Sequence, residues 1–577
     1  MSKPILRPTA VLMLVVTPAL AFSDEPPRQV VHATSGMVAA AQPQAAAAGV
    51  EILKQGGSAV DAAIAVNACL AVMEPISCGL GGDLFAIVWD PKARKLVGLN
   101  ASGRAPAALT IEKVRPEADG TIPLYSPYAW TVPGAADGWF ELHERYGKLS
   151  LEKVLAPAIA AARDGFAVTP VIAEGWARAA TVFADKPGFK EVFMPGGRPP
   201  RAGENFKNPA LARTLATLVA ERRAAIRKGG IARAIVAYSG EHGGFFALGD
   251  FESHRSTWDE PISTTYRGYT VWEMPPPGQG LAALQMLNIL ERFDLKAMGR
   301  GSADWWHVMT EAKKLAYADR ARYYADPAFS KVPVQALLSK DYAARRAALI
   351  DLKRAAVADP PGDPEAGGSG AVTASAPALD RRETTYLTTA DASGMMVSLI
   401  QSNYAGFGSG YVIPSLGYGI QNRGALFSLD AKHPNALAPG KRPFHTIIPA
   451  FVTKGGHPWL SFGLMGGDMQ AQGHAQVLSD IIDLGMDLQA AGDAPRFHHT
   501  GSTEPTGTVM KAAGILHVEP GVPANIVEEL RRRGHRIEPE ATSQFGGYQA
   551  IARDPKGGYI GATEKRKDGV AAGWDAH

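Results

Sequence analysis

The chain has 577 residues, 46% of them hydrophobic and 20% charged, with a formal net charge of +3. This is ordinary globular composition, long enough on length alone for several domains. A balance so near neutral supplies no basic surface of the kind that selects nucleic acid.

The first residues read as an export signal. Lys3 and Arg7 precede a short apolar stretch, 9–20, and Ala19-Leu20-Ala21 forms an A-x-A cleavage site. The stretch is too short to span a bilayer, and Pro18 interrupts it. Residues 1–21 are therefore expected to be removed, placing the mature protein in a periplasm or outside the cell. Residues 39–72 are Ala-rich and read as helix, broken at Gly56-Gly57. The segment 59–66 is nearly all small or aliphatic, the mark of a helix buried on most sides. Cys69 lies on it. With Cys78 it falls outside any Cys/His cluster, so zinc is not indicated, and buried free thiols are the simpler reading over a disulfide. Gly79-Leu80-Gly81-Gly82-Asp83 is a crowded turn before a strand, 84–89. No Gly-Lys-Ser/Thr follows, so it does not read as a phosphate loop.

Residues 150–240 read mainly as helix, with runs at 151–163 and 208–237. Then come a strand at 264–273, a stiff turn at Pro275-Pro276-Pro277-Gly278, and a long helix at 303–324. The run 355–379 is rich in Ala, Pro, Gly and Asp without aromatics, so 355–383 is expected to be mobile. From Thr384 the character turns to strands. Two β-prone runs, 385–390 and 395–401, flank the turn Asp391-Ala392-Ser393-Gly394. Further strands read at 451–453, 459–462, 549–553 and 559–562, and helices at 472–484 and 523–533. Strands with helices before and among them point to layered α+β architecture.

Glu383-Thr384-Thr385 stands where the run 355–379 gives way to the first of these strands. A threonine pair there has two readings: strand filler, or a hidden N-terminus exposed by self-cleavage. The second carries chemistry. A threonine hydroxyl is a poor nucleophile without a base. A free α-amine, with a reference pKa of about 7.7–8.0, can take its proton. The resulting oxyanion needs closely approaching backbone N–H donors, which Gly466-Gly467, after the 459–462 strand, can supply.

Gly56-Gly57-Ser58-Ala59-Val60-Asp61-Ala62-Ala63 followed by Gly79-Leu80-Gly81-Gly82 resembles the N-terminal signature of γ-glutamyltransferases (glutathione hydrolases). The likeness continues in order through Val132-Pro133-Gly134, Ala162-Arg163-Asp164-Gly165-Phe166, Thr384-Thr385, Lys441-Arg442-Pro443, Gly466-Gly467 and Asp493-Ala494-Pro495-Arg496-Phe497. The resemblance implies a four-layer αββα N-terminal-nucleophile fold that needs no cofactor. It also implies a precursor cut at the Glu383–Thr384 bond. The products would be a large chain, 22–383, and a small chain, 384–577, which stay together as a heterodimer. Thr384 would be the nucleophile, Ser402 its hydrogen-bonding partner, and Gly466 and Gly467 the oxyanion donors.

The substrate positions depart from the family pattern. An expected Arg is Ser102, with Arg104 two residues on; an expected Asn is Tyr404, beside Asn403. The amide and acid positions are Arg423 and Leu426, and a Ser-Ser pair is His445-Thr446. Leucine offers a substrate ammonium no carboxylate, and Arg423 would attract an anion instead. The pattern resembles the cephalosporin (glutaryl) acylase-like branch, in which Arg104 and Arg423 would be carboxylate clamps; each reads equally as a surface or structural ion pair. Asp468 could still restore an acid near the ammonium. His445 reads equally as a substrate contact or as packing behind Phe444. His498-His499 lacks a suitably spaced third ligand, so no metal is expected.

The leading expectation is a γ-glutamyl amidohydrolase or transferase acting on a glutathione-like amide, with water or an amino acid or peptide as acceptor. A glutaryl acylase is the second. An uncleaved, non-catalytic binding protein is the third.

Overall fold

The computed structural model describes residues 28–365, 383–507 and 513–576. The expected signal, 1–21, lies outside them, as does the stretch just before Glu383. The described strands build two seven-stranded sheets. The first runs in the order Val570–Trp574, Gly36–Ala40, Glu383–Ala390, Met396–Tyr404, Asp83–Asp90, Lys95–Ala101 and Thr257–Asp259. The second runs Val31–Ala33, Tyr559–Ala562, Tyr548–Arg553, His457–Leu464, Ala450–Lys454, Tyr269–Glu273 and Ile262–Tyr266. All pairings within both are antiparallel.

Helices cover the outer faces, giving four layers, αββα. Pro43–Lys54, Ala59–Met73 and Leu151–Asp164 lie on the side of the first sheet. Gly280–Leu290, Ala303–Tyr323 and Met469–Ile482 lie on the side of the second. A third apolar core fills the space between the sheets. Side chains alternate along a strand, so each central strand feeds two cores. Leu387, Val397 and Leu399 face the helices, while Tyr386, Met396 and Ile400 face the other sheet. This double burial explains why 395–401 reads as an apolar run rather than an alternating one.

The Ala59–Met73 helix is buried along its whole length, as its composition predicts. Ser58 caps it, and Asp61 completes the capping box. Asp61 Oδ2 also accepts the N–H groups of Lys148 and Leu149, at 2.8 and 3.1 Å.

Three local expectations differ. The Ala-rich stretch 39–72 begins in a strand, Gly36–Ala40, because sheet pairing on both sides overrides helix propensity there. The single strand read at 264–273 is a hairpin, Ile262–Tyr266 with Tyr269–Glu273, turning at Arg267-Gly268 where both φ angles are positive, 49° and 85°. The expected mobile run is packed over its described part, up to residue 365. Ala355 N–H donates to Arg533, Ala356 is held by Glu311 and Lys314, and Gly362 N–H donates to Asp319. Three of these partners, Glu311, Lys314 and Asp319, lie on the Ala303–Tyr323 helix and satisfy the backbone of this segment. Cys69 and Cys78 are both buried free thiols. Among the described residues, no helix is long and apolar enough to cross a membrane.

Candidate active site

Thr384 is the second residue of its strand and is buried. Its neighbours two and four residues on define its face. Tyr386 lies in the inter-sheet core, and the Thr388 hydroxyl meets the Ser461 hydroxyl of the second sheet at 2.7 Å. Gly463, two residues beyond Ser461, leaves room for the Tyr386 ring. Each two-residue step along one strand is thus matched on the other. Continued by one step, the same alternation would set Thr384 opposite Met465, next to the Gly466-Gly467 turn.

Pairing with the adjacent strand is irregular at this point. Thr385 pairs with Gln401 but Glu383 pairs with Tyr404, so Ser402 and Asn403 together oppose Thr384. Such a bulge re-aims side chains. Here the Thr384 hydroxyl donates to Ser402 Oγ at 3.3 Å, and Ser402 Oγ donates to the Glu383 carbonyl at 2.9 Å. The Tyr404 N–H donates to Ser402 Oγ at 2.8 Å, with Tyr404 at φ 81°. The Thr384 hydroxyl and the adjacent Glu383 carbonyl therefore share the Ser402 hydroxyl. On the helix side, Lys567 Nζ is 3.7 Å from Glu383 Oε2. Burial pushes the neighbouring Glu74 carboxyl up to about 7, against the pull of Lys567.

Gly466 and Gly467 have φ of 108° and 56°, values that disfavour any side chain. Among the described residues their N–H groups donate no backbone hydrogen bond. The Gly466 carbonyl accepts from Met469 N–H at 3.0 Å. In a trans peptide the next N–H points the opposite way, so that of Gly467 faces away from the Met469–Ile482 helix. The positive end of that helix adds to the attraction for an anion at this turn.

Arg423 forms one wall. It is fully buried, donates to Thr446 Oγ1 at 2.8 Å, and lies 4.6 Å over the Tyr404 ring. Leu426 is buried in the apolar core on the side of the second sheet. His445 Nε2 lies 3.2 Å from Asp83 Oδ2, off the axis of a good hydrogen bond, and its ring packs on Phe85 rather than behind Phe444. Burial, with Arg423 nearby, pushes His445 down to about 4, so it is neutral at physiological pH. Burial alone would raise Asp83, but the proximity of His445 and Arg423 and the Gln421 amide together hold it below the usual carboxylate range. Asp83 Oδ1 accepts from Gly103 N–H and Gln421 Nε2, at 2.8 and 2.9 Å.

Other expected residues sit differently. Arg104 bonds the Gly440 carbonyl at 3.1 Å and lies 3.6 Å from Asp326, a structural pairing in place of a clamp. Asp468 Oδ1 accepts from Arg320 at 3.1 Å, which offsets its charge. Asn403 is buried beside Thr384, and its N–H donates to the Ser77 carbonyl. His498 pairs with Glu540, and His499 with Lys313. A different group, His307, Glu311 and His535, has the ligand types for a cation. Its atoms are already matched: His307 Nδ1 meets His535 Nε2 at 2.8 Å, and Glu311 meets Lys314 at 2.7 Å.

Sequence reasoning missed Asp83 as a wall residue, and also Gln279, Arg320 and Glu504. Gln279 Nε2 donates to the carbonyls of Thr446 and Gly467. Arg320 donates to Gln279 Oε1 and to Glu504. The one available signal was Gln279 itself, a polar residue between glycines after a Pro-rich turn. Beside Glu504 opens a cleft of about 690 Å³, also lined by Arg322, Asp430, Lys432 and His433.

The family model described as gamma-glutamyltranspeptidase matches residues 45–574. The chain belongs to the γ-glutamyltranspeptidase family. It is thereby an enzyme of the N-terminal nucleophile hydrolase class, with which the four-layer fold agrees. The chain is 43% identical to a cephalosporin acylase from Bacillus halodurans of known crystal structure, covering 98% of this chain and 100% of that one with a TM-score of 0.87. It is 36% identical to the acylase ACY 1 proenzyme of Pseudomonas sp. (strain SE83), over 93% of each chain. It is 35% identical to the glutathione hydrolase-like YwrD proenzyme of Bacillus subtilis (strain 168), over 94% of this chain and 98% of that one. γ-Glutamyltranspeptidase relatives thus carry both acylase and glutathione hydrolase names.

Proposed function

We propose that this family member is an exported, self-cleaving amidohydrolase acting on amides of short dicarboxylic acids. γ-Glutamyl amides are among its donors, and donors without an α-amine are preferred. The observation that carries the preference is the wall of Arg423, Tyr404 and Thr446 beside a buried Leu426. A guanidinium held in this way suits a terminal carboxylate. An ammonium finds no carboxylate at Leu426, and Asp468 is committed to Arg320.

In processing, Thr384 Oγ attacks the Glu383 carbonyl carbon, whose oxygen Ser402 holds. The C–N bond breaks as the nitrogen takes a proton, and water hydrolyses the resulting ester. This frees a Glu383 carboxylate and a Thr384 α-amine. In turnover that amine accepts the Oγ proton as Oγ attacks the donor carbonyl. The Gly466-Gly467 turn stabilises the oxyanion, the proton passes to the leaving amine, and water or an amine acceptor resolves the acyl-enzyme. The cleft beside Glu504 takes the leaving group. Export rests on the expected signal at 1–21.

Purified protein should run as two bands on a denaturing gel, and Edman degradation of the smaller should read Thr-Thr-Tyr-Leu. Thr384→Ala should leave one band and no activity. Glutaryl p-nitroanilide should be cleaved faster than the γ-glutamyl compound; the reverse order would overturn the preference. Retained activity in Thr384→Ala would overturn the nucleophile.

A further inference from the structure

We propose that Gln279 is a positioning residue for the oxyanion donors, locking the Gly466-Gly467 turn to the Thr446 wall. The inference rests on the reading of Thr384 as nucleophile and of this turn as the oxyanion site. Glycines at 466 and 467 let backbone approach a reacting carbonyl, but they bring no rigidity of their own. The Met469–Ile482 helix holds one side of the turn, with Met469 N–H on the Gly466 carbonyl at 3.0 Å and Gln470 N–H on the Gly467 carbonyl at 3.2 Å, and a contact from outside the helix is needed to hold the other.

Gln279 is fully buried at the start of the Gly280–Leu290 helix. Its Nε2 donates to the Gly467 carbonyl at 2.8 Å and to the Thr446 carbonyl at 2.7 Å. One amide nitrogen thus ties the turn to the wall that carries Arg423's partner. Its Oε1 accepts from Arg320 at 2.6 Å. A flipped amide would set oxygen against two carbonyls and an NH₂ against a guanidinium, so Arg320 fixes which way Gln279 faces. Arg320 in turn reaches Asp468 and Glu504 and lies 3.7 Å over the Tyr317 ring. The Tyr317 hydroxyl donates to the Asp468 carbonyl. Holding the Gly467 carbonyl fixes the peptide plane it shares with the Asp468 N–H, which adjoins the plane that carries the Gly467 N–H and limits how that plane can turn. Gln279 touches no reacting atom; it acts through the turn.

The Glu383 carbonyl is held by Ser402 rather than by this turn. Self-cleavage therefore serves as an internal control for folding.

Gln279→Glu and Gln279→Met separate the cases, tested with glutaryl and γ-glutamyl p-nitroanilide. Both variants should still give two bands. kcat should fall at least about tenfold, short of the roughly 10²–10³-fold cost of losing an oxyanion donor outright, with KM within threefold. Inhibition by 4-boronobutanoic acid, which forms a tetrahedral adduct, should weaken in parallel, while inhibition by glutarate should not. For Gln279→Glu the ratio of variant to parent kcat should rise as pH falls and the introduced carboxyl regains a proton to donate. The loss should be the same factor on both donors, whichever donor is faster. Should Gln279→Glu fail to fold, Gln279→Met carries the test alone. A kcat within twofold of the parent, a raised KM at unchanged kcat, or a loss confined to one donor would overturn the proposal.

Discussion

Ser402 sits between the two reacting partners of the proposed self-cleavage, accepting from Thr384 and donating to the Glu383 carbonyl. Removing its hydroxyl leaves that carbonyl without a donor and the nucleophile without a partner. Ser402→Ala should slow the appearance of the two bands at least about tenfold, read by a time course on denaturing gels. At Arg423 the effect is on binding. Arg423→Gln keeps a donor for Thr446 but removes the charge. A hydrogen bond to a charged group is worth about 1.5–3 kcal/mol, so kcat/KM for a glutaryl donor should fall by about tenfold to a hundredfold. Leu426→Asp should move the ratio of the two anilides toward γ-glutamyl. Buried histidines set an acid limit. Burial holds His445 and His254 down at about 4 and His474 at about 3. Their unfolded forms take up protons near the reference value of about 6.5. The stability they contribute is complete above that pH and is lost as pH falls toward 4. Melting temperature should therefore drop between pH 7 and pH 5.

Among the elements, the Ala59–Met73 helix is fixed at its N-terminus by two side chains of unequal reach. Ser58 bonds one N–H of its own helix, whereas Asp61 also holds the 148–149 backbone. Ser58→Ala should cost about 1 kcal/mol. Asp61→Ala should cost more, because two further buried N–H groups lose their acceptor; denaturant unfolding ranks the two. The helix itself was legible because 59–66 is apolar but for Asp61 in its first turn, and the central strands because 396–400 is nearly apolar. The turn at Arg267-Gly268 was not, since an unbroken β-prone run hides it. The same contrast holds at the site. Thr384 and Gly466-Gly467 announce themselves locally, by residue type next to a strand. Gln279 and Arg320 do not, because what defines them is partners 188 and 148 residues away. Arg104 illustrates the same limit: type and position left clamp and structural ion pair even, and only the fold brings Asp326 to it.

Across the whole molecule, the first sheet interleaves strands from before and after residue 383. Glu383–Ala390 lies between Gly36–Ala40 and Met396–Tyr404, and Asp83–Asp90 pairs on the far side of the latter. Cleavage at the Glu383–Thr384 bond would leave this hydrogen-bonded ladder intact. Size exclusion under native conditions should therefore return one species near the 61.0 kDa of the intact chain, less any signal, even when a denaturing gel shows two. The interleaving has a further consequence. Neither piece can leave without tearing strands from the middle of a sheet, so mature molecules cannot trade halves. A mixture of a Thr384-intact enzyme and one inactivated in its other segment would never generate hybrids at native temperature. If the bond is cut, each chain would stay for life with the sibling with which it was translated.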